Sequence, residues 1–256
     1  MTILITGSRG AVARALLTLL HERGIAVRAA SSNPDQLSLR EDVPVVKCDL
    51  TDPATFAAAL DGITSVFLYA ASSHIDAFVE QAVSAGVKHV VLLSSVSVLN
   101  PNAEHDLLAK SHLDVEKALA ASPIESTFLR PGSFASNALG WSWAIKSAGA
   151  VNLPYPHAHT DPIHEADVAE AALAVLTEAR LRGQSYTLSG PQSVTFSEQI
   201  EQLARATARP ITVNVVTRDE WKKEMAEYIP EDFAESLLDF WQSNENTPVE
   251  HTRTSC

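Results

Sequence analysis

The fold this sequence predicts is a doubly wound, mostly parallel α/β sheet with a small C-terminal α/β cap. Three observations predict it. Short apolar runs alternate with helical patterns through the first half of the chain. Those runs are continuous Val/Ile/Leu rather than alternating, which indicates strands covered on both faces. A glycine-rich turn also joins the first strand directly to the first helix, the arrangement that opens a βαβ unit.

The elements follow in order. Ile3-Leu4-Ile5 reads as a strand. Ala11 to Arg23 has helical periodicity, with Leu16, Leu17, Leu19 and Leu20 on its apolar face, and stops before Gly24. Strands are expected at Ala26–Ala30, Val43–Cys48, Ser65–Tyr69, Val87–Leu93 and Glu125–Leu129. Helices are expected at Pro53–Leu60, Ile75–Ala85 and about residues 104–122. Past Arg130-Pro131-Gly132 the pattern loosens, and the stretch holding Trp141, Trp143, Tyr155, His157 and His159 has no clean period. An Ala-rich helix returns at Glu165–Arg180. It is followed by a strand at Gln184–Leu188, a helix at Phe196–Ala208 capped by Thr195 or Ser197, and a strand at Ile211–Val215. Two short acidic helices, Arg218–Tyr228 and Glu231–Trp241, precede a polar tail. We divide the chain into a core, 1–130, and a continuation, 131–256, which carries the remaining strands and a cap over the sheet's carboxyl edge.

Composition narrows the function. Of the 256 residues, 46% are hydrophobic and 20% charged, as in a packed globular protein. The net charge of −12 disfavours nucleic acid and anionic membrane surfaces as partners. No apolar run approaches the ~18 residues of a membrane span, and no signal peptide opens the chain. The two cysteines, Cys48 and Cys256, read as free thiols in a reducing compartment, so the cytoplasm is the expected location.

The segment Thr6-Gly7-Ser8-Arg9-Gly10-Ala11-Val12-Ala13 carries the chemistry. Gly7 permits a tight turn, Gly10 lets backbone approach a diphosphate, and Ala13 lets the helix pack close to the strand. The helix N-terminus then offers free amides and a positive dipole end. In its strand–turn–helix context this is a Rossmann-type dinucleotide site. NAD-binding sites place Asp or Glu at the end of the second strand. Here that position reads Ala29-Ala30-Ser31-Ser32-Asn33, with no carboxylate before Asp35, while Arg9 sits in the turn. An Arg with small hydroxyls suits a 2′-phosphate, so NADP(H) is favoured over NAD(H). Asp49, after the third strand, either reaches the adenine or caps the helix near Pro53. We assign the coenzyme site to Thr6, Gly7, Arg9, Gly10, Ala11, Val12, Ser31, Ser32, Asp49, Leu50, Ala70, Ser94 and Pro131.

These residues and several later motifs resemble the NmrA-like branch of the atypical short-chain dehydrogenases/reductases, which includes NAD(P)H:quinone reductases and redox-sensing regulators. The motifs are Val90-Val91-Leu92-Leu93-Ser94-Ser95, His112-x-x-x-Glu116-x-x-Leu119, Thr127-Phe128-Leu129-Arg130-Pro131-Gly132, Pro162-Ile163-His164-x-x-Asp167 and Tyr186-Thr187-Leu188-Ser189-Gly190-Pro191. The resemblance spans about residues 2–222. Related reductases use a Tyr-x-x-x-Lys pair, in which the Tyr protonates a carbonyl oxygen. Here those positions fall on Leu108 and His112, which places Tyr-dependent acid catalysis in doubt. Lys110 lies about 200° around the helix from His112, so both cannot face a coenzyme.

Quinone reduction asks less of a protein, since positioning and an apolar slot suffice. Candidate catalytic residues are His112 and Ser94. Candidate substrate-pocket residues are Ser95, Phe134, Asn137, Trp141, Tyr155 and His164; plain packing is the competing reading for the aromatics. His157 and His159 lack a third ligand at metal-binding spacing, and no metal site is assigned. The expected function is an NADP(H)-dependent reductase of a quinone-like or conjugated small molecule, in a biosynthetic pathway or elsewhere. The alternatives are a non-catalytic dinucleotide sensor that binds a protein partner and a non-redox isomerase or cyclase. The oligomeric state stays open, with a homodimer through the acidic C-terminal helices among the candidates.

Overall fold

The computed structural model describes residues 2–249. Cys256 and the end of the polar tail lie outside the described residues. In chain order the elements are β1 (Ile3–Ile5), α1 (Ala11–Glu22), β2 (Val27–Ser31), β3 (Val45–Lys47), α2 (Phe56–Leu60), β4 (Ser65–Tyr69), α3 (Ile75–Ser84) and β5 (His89–Leu93). Then follow α4 (Leu107–Ala120), β6 (Glu125–Pro131), α5 (Ser142–Ala148), β7 (Ala150–Leu153), β8 (His159–Thr160), α6 (Glu165–Thr177) and β9 (Ser185–Leu188). The chain continues through β10 (Val194–Thr195), α7 (Phe196–Thr207), β11 (Thr212–Val215), α8 (Arg218–Met225) and α9 (Glu231–Ser243).

The chain forms two compact units. The first comprises, of the described residues, 2–105, 109–131 and 165–188, so α6 and β9 fold with the N-terminal strands. Its sheet has seven strands in the order β3-β2-β1-β4-β5-β6-β9. Every pairing in it is parallel. The order reverses between β1 and β4, the switch point where open α/β sheets bind ligands. The apolar runs are strands because both faces are covered: Ile3, Leu4, Ile5, Val66, Phe67, Val90 and Val91 are all fully buried. Alternate side chains point to opposite faces. Leu4, Val66, Leu68, Val90 and Leu92 pack with Phe56 and Leu60 of α2, Phe78 of α3, and Val115 and Leu119 of α4. The helices α1 and α6 pack against one another. No helix among the described residues is long and apolar enough to cross a membrane.

The second unit comprises residues 106–108 and 132–164 and, of the described residues, 189–249. Its strands make two small sheets, parallel β7–β11 and antiparallel β8–β10. The stretch that lacks a period in sequence therefore holds a 3-10 turn (Ala135–Trp141), α5, β7 and β8. Its pieces are too short to show periodicity, and β7 pairs with a strand some sixty residues away. Edge-to-face contacts link Trp141 to Phe196, Phe196 to Trp241, and Trp241 to Trp221, with centroids 5.7, 5.2 and 5.0 Å apart. Thr195 caps α7 in a capping box with Glu198, which settles the choice between Thr195 and Ser197. The acidic helices are joined by Arg218 of α8, which pairs with Glu235 and Asp239 of α9.

Candidate functional site

Thr6 directly follows β1, and its buried hydroxyl accepts from the Tyr69 amide (2.7 Å) and donates to the Phe67 carbonyl (3.2 Å). This clamp fixes the ends of two central strands side by side. Gly7 follows with φ +61°, a left-handed conformation that costs an L side chain free energy. A Cβ there would also lie 3.2 Å from Tyr69 Cβ. Ser8 turns inward: its hydroxyl donates to the Ile5 carbonyl (2.7 Å) and accepts from the Ala30 amide (3.1 Å). Gly10 closes the turn through its amide on the Gly7 carbonyl (2.8 Å). A Cβ on Gly10 would sit 3.3 Å from that same oxygen. Gly10 is the N-cap of α1 and makes no side-chain cap, so Ala11 and Val12 begin a twelve-residue helix whose first amides are left to a ligand or water.

These features border a cleft of about 400 Å³. Gly7, Arg9 and Gly10 line it from the first turn, Ser31 and Ser32 from the end of β2, and Asp49 and Leu50 from the segment after β3. Sequence reasoning missed Tyr69 and Ala71, which line it from the end of β4. Ala70 is instead 8% exposed and packs in the core, because adjacent strand residues face opposite ways. Asp49 accepts from the amide and hydroxyl of Thr51 (2.9 and 2.7 Å). These two hydrogen bonds hold its carboxyl below the usual carboxylate range. The cap near Pro53 comes from Asp52, which accepts from the Ala54 amide (3.1 Å), so the capping reading of Asp49 is corrected. Burial pushes the Cys48 thiol up to about 12, which keeps it protonated and inert.

The donor set fits a dinucleotide. Two glycines leave the backbone bare, an uncapped helix end supplies amides, and Arg9 supplies a cation. The Arg9 guanidinium bonds only the neutral Gln36 side chain (3.3 Å) and makes no ion pair among the described residues.

A second cluster lies in the same unit. Ser94 is 3% exposed, and its hydroxyl donates to Glu116 Oε1 at 2.5 Å. Arg130 grips the same carboxylate with Nε on Oε1 (2.9 Å) and Nη2 on Oε2 (2.6 Å). The three residues tie the ends of β5 and β6 to the middle of α4. Spacing alone hid this, because Ser94 and Arg130 lie 22 and 14 residues from Glu116. His112, one turn before Glu116, has a buried Nδ1 with no hydrogen-bond partner. Burial lowers its pKa, opposed by the Glu116 charge. Ser95 caps the turn Val96–Leu99, its hydroxyl accepting from the Ser97 amide (3.2 Å). Pro131 is the buried end of β6, in register with Leu188.

Phe134, Asn137, Trp141, Tyr155 and His164 belong to the second unit. Phe134 bridges to Ile163, and Asn137 is exposed. The Trp141 ring packs against Phe196 within that unit's core. The Tyr155 hydroxyl donates to Gln242 (3.2 Å) and accepts from Arg218 (3.3 Å). His164 directly precedes α6 and is exposed.

Residues 7–179 match the family model described as NAD(P)H-binding. The chain belongs to this family. A curated relative from Streptomyces griseus, (4-alkanoyl-5-oxo-2,5-dihydrofuran-3-yl)methyl phosphate reductase, is 35% identical over 92% of this chain and 84% of its own. The NAD(P)H azoreductase of Xenophilus azovorans is 26% identical over 93% of this chain and 86% of its own. Among solved structures, the NADPH-dependent quinone oxidoreductase of Escherichia coli in complex with NADPH superposes with a TM-score of 0.81, at 24% identity over 96% of this chain and 89% of that one. The family is thus that of the NmrA-like, atypical short-chain reductases.

Proposed function

We propose that the protein is an NADP(H)-dependent reductase that passes hydride to a quinone-like or otherwise conjugated small molecule. The observation that carries this reading is the pairing of a bare glycine turn with an uncompensated Arg9 and hydroxyl-bearing Ser31 and Ser32, with no carboxylate at the end of β2. A 2′-phosphate satisfies that cation, whereas a ribose diol leaves it unmatched. The named acceptors of the relatives, a 5-oxo-dihydrofuran with an alkanoyl arm, an azo compound and a quinone, are all conjugated.

A bound reduced nicotinamide supplies the hydride, and one proton completes the reduced acceptor. The chain's own part is to bind, orient and exclude water. The first-turn amides of α1 hold negative charge at one end of the cleft. His112, with its lowered pKa, is a neutral imidazole near pH 7, so it orients by hydrogen bonding and is not a standing acid. We place the Tyr-x-x-x-Lys positions at Leu108 and His112, so the proton reaches the acceptor from water.

The test mixes the protein with NADPH and a panel of quinones, azo dyes and butenolides and follows loss of the reduced coenzyme. NADPH is consumed with at least one acceptor, and NADH supports at most about a tenth of that kcat/KM. Arg9→Ala lowers the NADPH rate until the two coenzymes are nearly equal, the size expected for one charge-assisted contact of roughly 1.5–3 kcal/mol. Retained coenzyme binding with no turnover on any acceptor contradicts the reductase reading.

A further inference from the structure

Tyr69 is the feature of the cleft that neither the glycine motif nor the NADP preference explains. The four residues before it in β4, Ser65 to Leu68, are each 3% exposed or less, whereas Tyr69 is 54% exposed. Its ring starts directly over the glycine turn: a Cβ built on Gly7 would lie 3.2, 3.5 and 3.7 Å from Tyr69 Cβ, Cγ and Cδ2. The mount is rigid on both sides. The Tyr69 amide is held by Thr6 (2.7 Å), and three residues on, the Ser72 hydroxyl accepts from Ser111 of α4 (3.3 Å). The phenol hydroxyl makes no hydrogen bond among the described residues. The lining of the cleft combines the polar or charged Ser8, Arg9, Ser31, Ser32 and Asp49 with the apolar Leu50 and Ala71, and Tyr69 is the one aromatic side chain among its lining residues. An amphipathic Tyr on a fixed backbone offers contact area at low entropic cost, with a donor at its tip.

We propose that Tyr69 is a coenzyme-contacting residue whose ring flanks the diphosphate bridge held on the Gly7 turn and whose hydroxyl donates to a phosphate oxygen. This rests on the reading of the cleft as a dinucleotide site. A group that approaches Gly7 where a Cβ would lie meets the Tyr69 side chain, since that position is 3.2–3.7 Å from Tyr69 Cβ, Cγ and Cδ2. The diphosphate is common to NADPH and NADH, so Tyr69 acts on both coenzymes alike, while Arg9 acts on the 2′-phosphate alone.

Calorimetric titration of the wild type, Tyr69→Phe, Tyr69→Ala and Arg9→Ala with NADPH and with NADH separates the roles. Tyr69→Phe raises both dissociation constants about tenfold, the loss of one hydrogen bond to a charged acceptor. Tyr69→Ala raises both by several-fold more, through the lost ring contact. Arg9→Ala weakens NADPH only. The thermal midpoints of the unliganded Tyr69 variants stay within about 2 °C of wild type, because the side chain is exposed. Tyr69→Phe and Tyr69→Ala with wild-type affinity overturn the proposal and leave the dinucleotide site standing; so does a loss confined to NADPH. If Tyr69→Ala fails to fold, Tyr69→Phe decides alone. A wild-type protein that binds neither coenzyme removes the underlying reading and this proposal together.

Discussion

At the scale of single residues, burial decides which polar groups are available for chemistry. His89 is fully buried at the start of β5. Its Nε2 meets the Thr127 hydroxyl at 2.9 Å, while its Nδ1 has no partner. Burial, reinforced by the Arg182 charge, lowers its pKa to about 4. The unfolded chain then binds a proton that the folded chain refuses. Stability from this group is whole above pH ~6.5 and is lost as pH falls toward about 4. At ~1.4 kcal/mol per pKa unit, the loss is on the order of 3 kcal/mol. Urea unfolding between pH 7 and pH 4 should show that slope in the wild type and a clearly shallower one in His89→Gln; equal slopes contradict it. His112 illustrates how little one residue's identity discloses. Its place on a helix after β5 was legible, but its buried Nδ1 and its nearness to Glu116 depend on how α4 lies on the sheet. Ala70 and Tyr69 illustrate the same point in a strand. The end of β4 was legible as a site boundary, and which of two adjacent residues faces the cleft was set by the pleat.

Among elements, the central strands and their helices could be read directly. A parallel sheet covered on both faces demands uninterrupted apolar runs, and Ile3–Ile5, Ser65–Tyr69 and His89–Leu93 supply them. What joins the elements could not be read. Arg130, Glu116 and Ser94 come from three elements and meet only in the folded chain. Glu116 and Arg130 have side chains 6% and 19% exposed, so each is a buried charge that relies on the other. Replacing Glu116 by Gln leaves Arg130 uncompensated, at a cost of about 3–5 kcal/mol in unfolding free energy. Glu116→Leu combined with Arg130→Leu should cost less than the sum of the two single changes, since the pair is removed as a unit. Urea denaturation of the wild type, Glu116→Gln, the two single Leu variants and the double Leu variant checks this; a Glu116→Gln variant within about 0.5 kcal/mol of wild type contradicts it. The second unit escaped periodicity analysis for a different reason. Its strands run two to four residues, and its pairings and Trp141–Phe196–Trp241–Trp221 contacts reach far along the chain. Those contacts place Trp141 in packing, the reading that competed with a substrate slot from the start.

For the whole molecule, the glycine turn at the switch point of a seven-stranded parallel sheet unites sequence, structure and kinship. The fold follows from hydrophobic patterning and the coenzyme site from two glycines and a helix end. The identity of the acceptor follows from neither, because it depends on side chains scattered along the less regular half of the chain. The most direct measurement is therefore of coenzyme binding itself, by calorimetric titration of the wild type and Gly10→Asp with NADPH and NADH. Gly10→Asp sets a carboxylate against the first amides of α1, where an added Cβ would lie 3.3 Å from the Gly7 carbonyl oxygen. The wild type should bind NADPH saturably, at least about tenfold tighter than NADH. A Gly10→Asp protein that retains its circular dichroism spectrum should show no measurable binding. Absence of heat with both coenzymes in the wild type, or unchanged affinity in a folded Gly10→Asp variant, contradicts a coenzyme site on this turn.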